Sequence, residues 1–204
     1  GTFKNAEREE MEHYAEHLSD NVPGALDAER ASTTAVVMDS EPTTDTIEVL
    51  TDNKAAWRQQ LRTSMKPKER TQIERVVMPE LDPAYRSTTR TEEVNIGLTK
   101  EMAMQEARRC LDCAKPSCVE GCPVNIDIPS FVKNIERGQF LAAAKVLKQT
   151  SALPAVCGRV CPQEKQCESR CIHLKMNSKP VAIGYLERFA ADYERESGNI
   201  SLPE

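Results

Sequence analysis

All eight cysteines of this chain lie between residues 110 and 171, in two runs that constrain the fold more than any other feature. The first reads C-x2-C-x4-C-x3-C-P, with Cys110, Cys113, Cys118, Cys122 and Pro123. The second reads C-x3-C-P-x4-C-x3-C, with Cys157, Cys161, Pro162, Cys167 and Cys171. Thiolates this dense suit iron. A cubane cluster needs one ligand per iron, and a tight turn places sulfurs three residues apart on neighbouring irons. In bacterial-type ferredoxin runs the cysteine before proline leaves the turn and binds a second cluster, so one run serves two sites.

Two other chemistries compete for the thiols. A disulfide framework needs an oxidising compartment. The chain shows no basic segment followed by an apolar stretch and a cleavage site, and its apolar runs are too short to span a membrane, so a cytoplasmic setting without membrane contact is expected. Structural zinc is the stronger rival, because Cys110 and Cys113 alone form half of a four-cysteine zinc site, which would make the chain a zinc-binding interaction module. Zinc sites usually pair two short knuckles, whereas here four spaced cysteines end in Cys-Pro and a second Cys-Pro follows. The spacing favours iron and sulfide.

The segments around the runs read as helices. LTKEMAMQEARRC has Thr99 as an N-cap, with Met102, Ala103, Ala107 and Cys110 at helical spacing, and so delivers the first cysteine. IPSFVKNIERG places Pro129 in a first turn, Phe131, Val132 and Ile135 on one face, and Gly138 as a stop. QFLAAAKVLKQT carries an apolar stripe of Phe140, Ala144 and Leu147, read as core packing. SKPVAIGYLERFAADYERESG starts at Ser178 and Pro180 and stops at Gly198. Ala182, Leu186, Phe189 and Tyr193 share one face there, and Ile183 and Glu187 lie on its edge. No β-branched alternation with tight turns occurs between residues 99 and 196, so an all-α domain is expected. Aromatic residues make up only 4% and apolar residues 39%, a thin supply for a conventional core, which leaves cohesion to metal bonding.

Residues from about 67 to 196, above all RRCLDCAKPSCVEGCPVNIDIPSFV, PAVCGRVCPQEKQCESRC and the downstream IGYLERF, resemble the N-terminal iron-sulfur domain of the glutamate synthase small-subunit family. The same pattern occurs in dihydropyrimidine dehydrogenase and in the large subunit of NADH-dependent ferredoxin:NADP oxidoreductase. The resemblance implies an α-helical ferredoxin-like domain with two [4Fe-4S] clusters. It implies that Cys110, Cys113, Cys118 and Cys171 hold the first cluster. Cys122, Cys161 and Cys167 would hold the second, with an oxygen ligand from a later helix at the position of Glu187. That division leaves Cys157 either as a small packed residue or as an alternative ligand in place of Glu187.

The same resemblance implies an electron-transfer module of an NAD(P)H-dependent, flavin-containing oxidoreductase. FAD and NAD(P)H would bind domains that follow in the full-length chain, and a partner redox subunit or acceptor would take the electrons. No catalytic residue is expected here. No G-x-G-x-x-G follows a strand, no P-loop occurs, and the eight glycines are scattered. The net charge of −5, from 27 basic and 32 acidic residues, argues against nucleic-acid binding. Arg108, Arg109, Arg159, Lys165 and Arg170 flank the cysteines and are either solvated charges or groups that offset thiolate charge. His173 is expected at the surface, with a hydrogen bond to a cluster as the alternative.

Upstream, residues 4–18 read as a charged helix and residues 19–53 as a linker, so the domains are expected at 1–53 and 54–204. TDTIEVL at 44–50 has β-branched residues enough for a short strand or a docking segment, but also fits disorder. KAAWRQQLRTSM is a helix anchored by Trp57 and Leu61 and ended by Pro67. His13, Glu16 and His17 match H-x-x-E-H, a five-residue pattern better read as part of a solvated helix than as a zinc protease. The family does not usually carry such an extension. With no initiator methionine, the chain is expected to be a piece of a longer one, with another redox module ahead.

Residues 1–204 alone are therefore expected not to oxidise NADPH and not to retain it in equilibrium dialysis. Tight NADPH binding would contradict this.

Overall fold

The computed structural model describes residues 46–203. They form ten α-helices, three short 3-10 turns between Gln163 and Met176, and no strand beyond a single bridge between Glu80 and Asn95. None of these helices is long and apolar enough to cross a membrane. The expected all-α class is observed. The helix at 4–18, most of the linker and the His13/Glu16/His17 motif lie outside the described residues.

Helix α7 (Ile128–Glu136) is the centre, and all nine of its residues are buried. Asp127 caps it by accepting from the Ser130 N–H at 3.2 Å, Pro129 occupies its first turn, and Gly138 ends it at φ +79°. Phe131, Val132 and Ile135 enter the core with α8 (Phe140–Lys148) and α5 (Lys100–Arg108). Thr99 caps α5 as expected, its hydroxyl accepting from the Met102 N–H. Helix α10 (Ile183–Ser197) packs on α8, where Phe140 meets Phe189 and Tyr193 edge-on at 5.0 and 4.9 Å.

The other side of α7 is polar and equally buried, so each group there needs a partner. The segment upstream supplies most of them. Helices α1 (Ile47–Thr51), α2 (Ala56–Ser64) and α3 (Pro67–Gln72) lead this segment along the polar side. Asn134 donates to the Leu50 carbonyl at 3.2 Å, Ser130 accepts from Arg58 at 2.9 Å, and Glu136 accepts from Arg70 at 2.8 Å. Lys133 completes the set by donating to the Cys110 carbonyl at 2.7 Å.

Several expectations change here. The β-branched residues of TDTIEVL do not make a strand: Ile47–Thr51 is a helical turn whose Leu50, 1% exposed, docks against α7 and α8. One buried anchor outweighs weak strand propensity. The packed unit thus extends upstream of Lys54. In α2 neither Trp57 nor Leu61 is fully buried, and the anchor is Arg58. Trp57 lies under the Arg137 guanidinium, 4.1 Å from its ring centre. Pro67 opens α3 rather than simply ending α2. Helix α10 begins at Ile183, not at Ser178 or Pro180, because the backbone groups of residues 179–182 are bonded elsewhere and Ala182 stands at φ −75°, ψ 69°, outside the helical range. The carbonyls of Lys179 and Pro180 accept from Arg109, and the Ala182 N–H donates to Glu106 at 2.8 Å.

Remaining elements bring the cysteines close. Helix α4 (Pro83–Arg86) stays peripheral, and α6 (Ser117–Glu120) lies within the first run. Helix α9 (Pro154–Val160) carries the start of the second run against α10. At Gly158 the backbones touch: a β-carbon there would stand 2.5 Å from the Arg188 nitrogen and 2.8 Å from its α-carbon. Gly158→Ala is therefore expected to destabilise the protein by about 1–3 kcal/mol, read from its urea unfolding midpoint, because rigid backbone must move to admit one methyl. An unchanged midpoint would refute the contact.

Candidate metal centre

The first run leaves α5 directly. Cys110 follows its last turn, with its N–H bonded to the Ala107 carbonyl at 3.1 Å, and Cys118 sits in α6. Between Cys110 and Cys113 the chain turns through Asp112 at φ +53°, a left-handed conformation that Asp and Asn tolerate better than most residues. Arg58 grips the Asp112 carboxylate with two bonds of 2.6 and 2.9 Å, and Arg62 adds a third at 2.7 Å. Burial pushes the Asp112 carboxyl up, but the two arginines more than reverse this and hold it below the ordinary range.

Cys110, Cys113, Cys118 and Cys171 line one cavity of about 420 Å³, counting its part open to solvent, with apolar walls that include Ile128, Val132 and Ile183. Burial pushes the Cys110 thiol up to about 11, and raises Cys113 and Cys118 too. Cys118 is raised further by Cys110, Cys171 and Cys113, so these sulfurs lie in one another's field. Such a pocket keeps its thiols protonated unless a multivalent cation replaces the protons.

The second set is assembled from four places. Cys122 follows α6, Cys161 ends α9, Cys167 heads a 3-10 turn, and Glu187 stands on α10. Burial pushes Cys161 up to about 11, and its neighbours Cys157, Glu187 and Cys122 add to the rise. It pushes Cys167 up to about 12, with Glu168, Cys122 and Glu187 adding to the rise. Glu187 is 5% exposed and its Oε1 has no hydrogen-bond partner. Burial alone pushes its carboxyl up to about 7. A buried carboxylate oxygen aimed among thiols with nothing to bind is a donor that suits a metal.

Cys157 lies beside this second set. It is a near neighbour of Cys161, whose thiol it helps to raise, and the Ser151 hydroxyl approaches its sulfur at 4.0 Å. The two runs cross where Gly121 meets the second run: a β-carbon there would lie 2.8 Å from the Gln166 carbonyl. Ser117 ties the same crossing by donating to the Arg170 carbonyl at 2.8 Å. All eight cysteines are free thiols. Among the described residues no three Cys, His, Asp or Glu side chains converge tightly enough for a single metal ion.

The flanking charges divide. Arg108, Lys165 and Arg170 are exposed. Arg159 is engaged by Glu93 and Asp192 at 2.7 and 2.8 Å. Arg109 is buried against Glu106 at 2.6 Å. His173 is not a surface residue: it is fully buried, and its Nε2 donates to the Arg109 carbonyl at 2.9 Å while burial lowers its pKa. It lines the first cavity as a neutral ring. Sequence reasoning missed Lys133, whose charge lowers the neighbouring Cys110 thiol, and the Arg58–Asp112 pair. Lys133 interrupts an apolar run and Asp112 sits inside C-x2-C, which are the only local signals either residue gives.

Comparison with known proteins agrees with the geometry. The family profile described as dihydropyrimidine dehydrogenase domain II, 4Fe-4S cluster, matches residues 87–199. Among curated proteins of Escherichia coli K12, the chain is 43% identical over 101 residues to the putative oxidoreductase UacF, covering 49% of this chain and 16% of that protein. It is 38% identical over 107 residues to the NAD-dependent dihydropyrimidine dehydrogenase subunit PreT, covering 52% and 26%. It is 40% identical over 106 residues to the glutamate synthase [NADPH] small chain, covering 52% and 22%. The chain thus spans between about a sixth and a quarter of these relatives' length. With the profile covering more than half of its residues, the chain belongs to the helical 4Fe-4S domain family of dihydropyrimidine dehydrogenase domain II and the glutamate synthase small chain.

Proposed function

We propose that this chain is the electron-transfer part of an NAD(P)H-dependent flavin oxidoreductase and that it holds two [4Fe-4S] clusters. Cys110, Cys113, Cys118 and Cys171 are the ligands of the first. Cys122, Cys161, Cys167 and Glu187 are those of the second. The observation that carries the reading is the Glu187 Oε1, buried near Cys161 and Cys167 without a hydrogen-bond partner. The electron source is a flavin on a neighbouring domain reduced by NAD(P)H, and the sink is a partner redox subunit or acceptor. The named activities of PreT and the glutamate synthase small chain support that class without deciding the final substrate.

When bound, such clusters supply one-electron storage at potentials set by ligands, hydrogen bonds and exposure. This chain's residues do the rest. The apolar wall of Ile128, Val132 and Ile183 excludes water from the first pocket. Lys133, buried beside Cys110, favours its thiolate form. Glu187 offers the second site a harder oxygen donor than thiolate, which separates the electronic character of the two sites.

Anaerobically purified protein is expected to contain about eight iron atoms and about eight acid-labile sulfides per chain, as two cubes require. Zinc in place of iron, without sulfide, would instead establish the structural zinc module. The unusual ligand has its own test. Glu187→Ala is expected to remove the second cluster or convert it to a three-iron form, while Cys157→Ala keeps nearly full iron content, as judged by iron analysis and low-temperature electron paramagnetic resonance. The opposite pattern would make Cys157 the fourth ligand.

A further inference from the structure

The C-x2-C turn of the first site is held from outside the stretch that the family profile matches. Arg58, on α2, is 3% exposed and stands 54 residues upstream of the aspartate it grips. Its Nε and one Nη atom bind the two Asp112 oxygens at 2.9 and 2.6 Å. Its other Nη donates to the Ser130 hydroxyl at 2.9 Å and to the Thr51 carbonyl at 3.3 Å. Ser130 passes the chain on by donating to Asp127, the cap of α7, at 2.6 Å. The guanidinium therefore couples α1, α7 and the cysteine turn through one planar group that lysine cannot imitate.

The consequence reaches the sulfur. Asp112 stands between Cys110 and Cys113, is held at φ +53°, and carries the buried ion pair with Arg58 inside the turn that joins these two sulfurs. Arg58 itself lies within the field of Cys110. Hydrogen bonds to ligand sulfurs and nearby charge both tune iron-sulfur potentials. We infer that Arg58, acting through Asp112, is a positioning residue that sets the reduction potential of the first site: it fixes the left-handed turn between Cys110 and Cys113 and places a buried positive charge against the carboxylate within it. The inference rests on the ligand set proposed above.

The signs follow from charge. Reduction adds an electron to a centre already made negative by its thiolates, so a nearby positive charge favours the reduced state. Arg58→Met removes that charge, leaves the Asp112 carboxylate less compensated, and lowers the midpoint. Asp112→Asn keeps the left-handed turn, which Asn tolerates, and removes a negative charge while both arginines remain, so it raises the midpoint. Arg58→Lys keeps the charge but loses the two-pronged grip, and lowers the midpoint less than Arg58→Met. A residue that only stabilises the fold would not give shifts of opposite sign.

The test is anaerobic potentiometric titration of the full chain, followed by electron paramagnetic resonance, with iron content measured for each variant. The expected result is a several-fold lower reduced-to-oxidised ratio at the wild-type midpoint for Arg58→Met and a higher one for Asp112→Asn. The second site serves as an internal control and stays unmoved. If Arg58→Met does not fold, Arg62→Gln decides, since Arg62 binds the same carboxylate at 2.7 Å from a partly exposed position, and its midpoint is expected to fall. Unmoved or same-direction midpoints in iron-replete variants overturn the inference while leaving the ligand set intact. Wild-type protein that contains no iron and sulfide overturns the ligand set, and this inference with it.

Discussion

Burying α7 on every side is the constraint from which the rest of the architecture follows. Half of its surface is polar, and an unpartnered buried charge or amide costs several kilocalories per mole. Ser130, Lys133, Asn134 and Glu136 must therefore be met, and beyond the partners on or beside the helix itself each finds one in residues 50–70 or in the backbone of the first cysteine turn. The upstream segment is thus part of the domain's interior. The same contacts that satisfy α7 also fix where Cys110 and Asp112 stand.

A second buried pair performs the same service on the opposite flank. Glu106 and Arg109, one turn apart at the end of α5, take up the Val76 and Ala182 N–H groups and the carbonyls of Ile73, Lys179 and Pro180. Two extended segments that have no sheet to join find their hydrogen bonds on this pair. Removing one member of such a pair leaves the other charged and buried, at a cost of about 3–5 kcal/mol. The polar interior also accounts for the small apolar share of the composition. Ion pairs and hydrogen bonds fill space that aromatic side chains would otherwise occupy, alongside whatever cohesion metal bonding adds.

The two thiol sets differ in the donors placed around them. The first lies in an apolar cavity with a neutral histidine in its wall and a lysine ammonium behind Cys110. The second has a buried carboxyl group with one unpartnered oxygen near its thiols and an additional thiol, Cys157, beside Cys161. The two thiol sets thus have different electrostatic surroundings, an apolar cavity with a lysine behind it for the first and a buried carboxyl group for the second.

The all-α class and the helices around the cysteines were legible in the sequence because caps, stops and apolar period are local properties. Thr99, Pro129, Gly138 and Gly198 each act within one turn of where they stand. The density of thiols likewise announced a metal site before any coordinate. Spacing alone did not reveal that Cys171 stands with the first three cysteines and Cys122 with Cys161, Cys167 and Glu187. Only the crossing of the runs at Gly121 and the contact at Gly158 arrange that. The helix at Ile47–Thr51, the burial of Arg58 in place of Trp57, the interior position of His173 and the late start of α10 were equally out of reach. Each is decided by a partner 30 or more residues away, and a pairing energy of that range overrides the weak local preferences that a sequence displays.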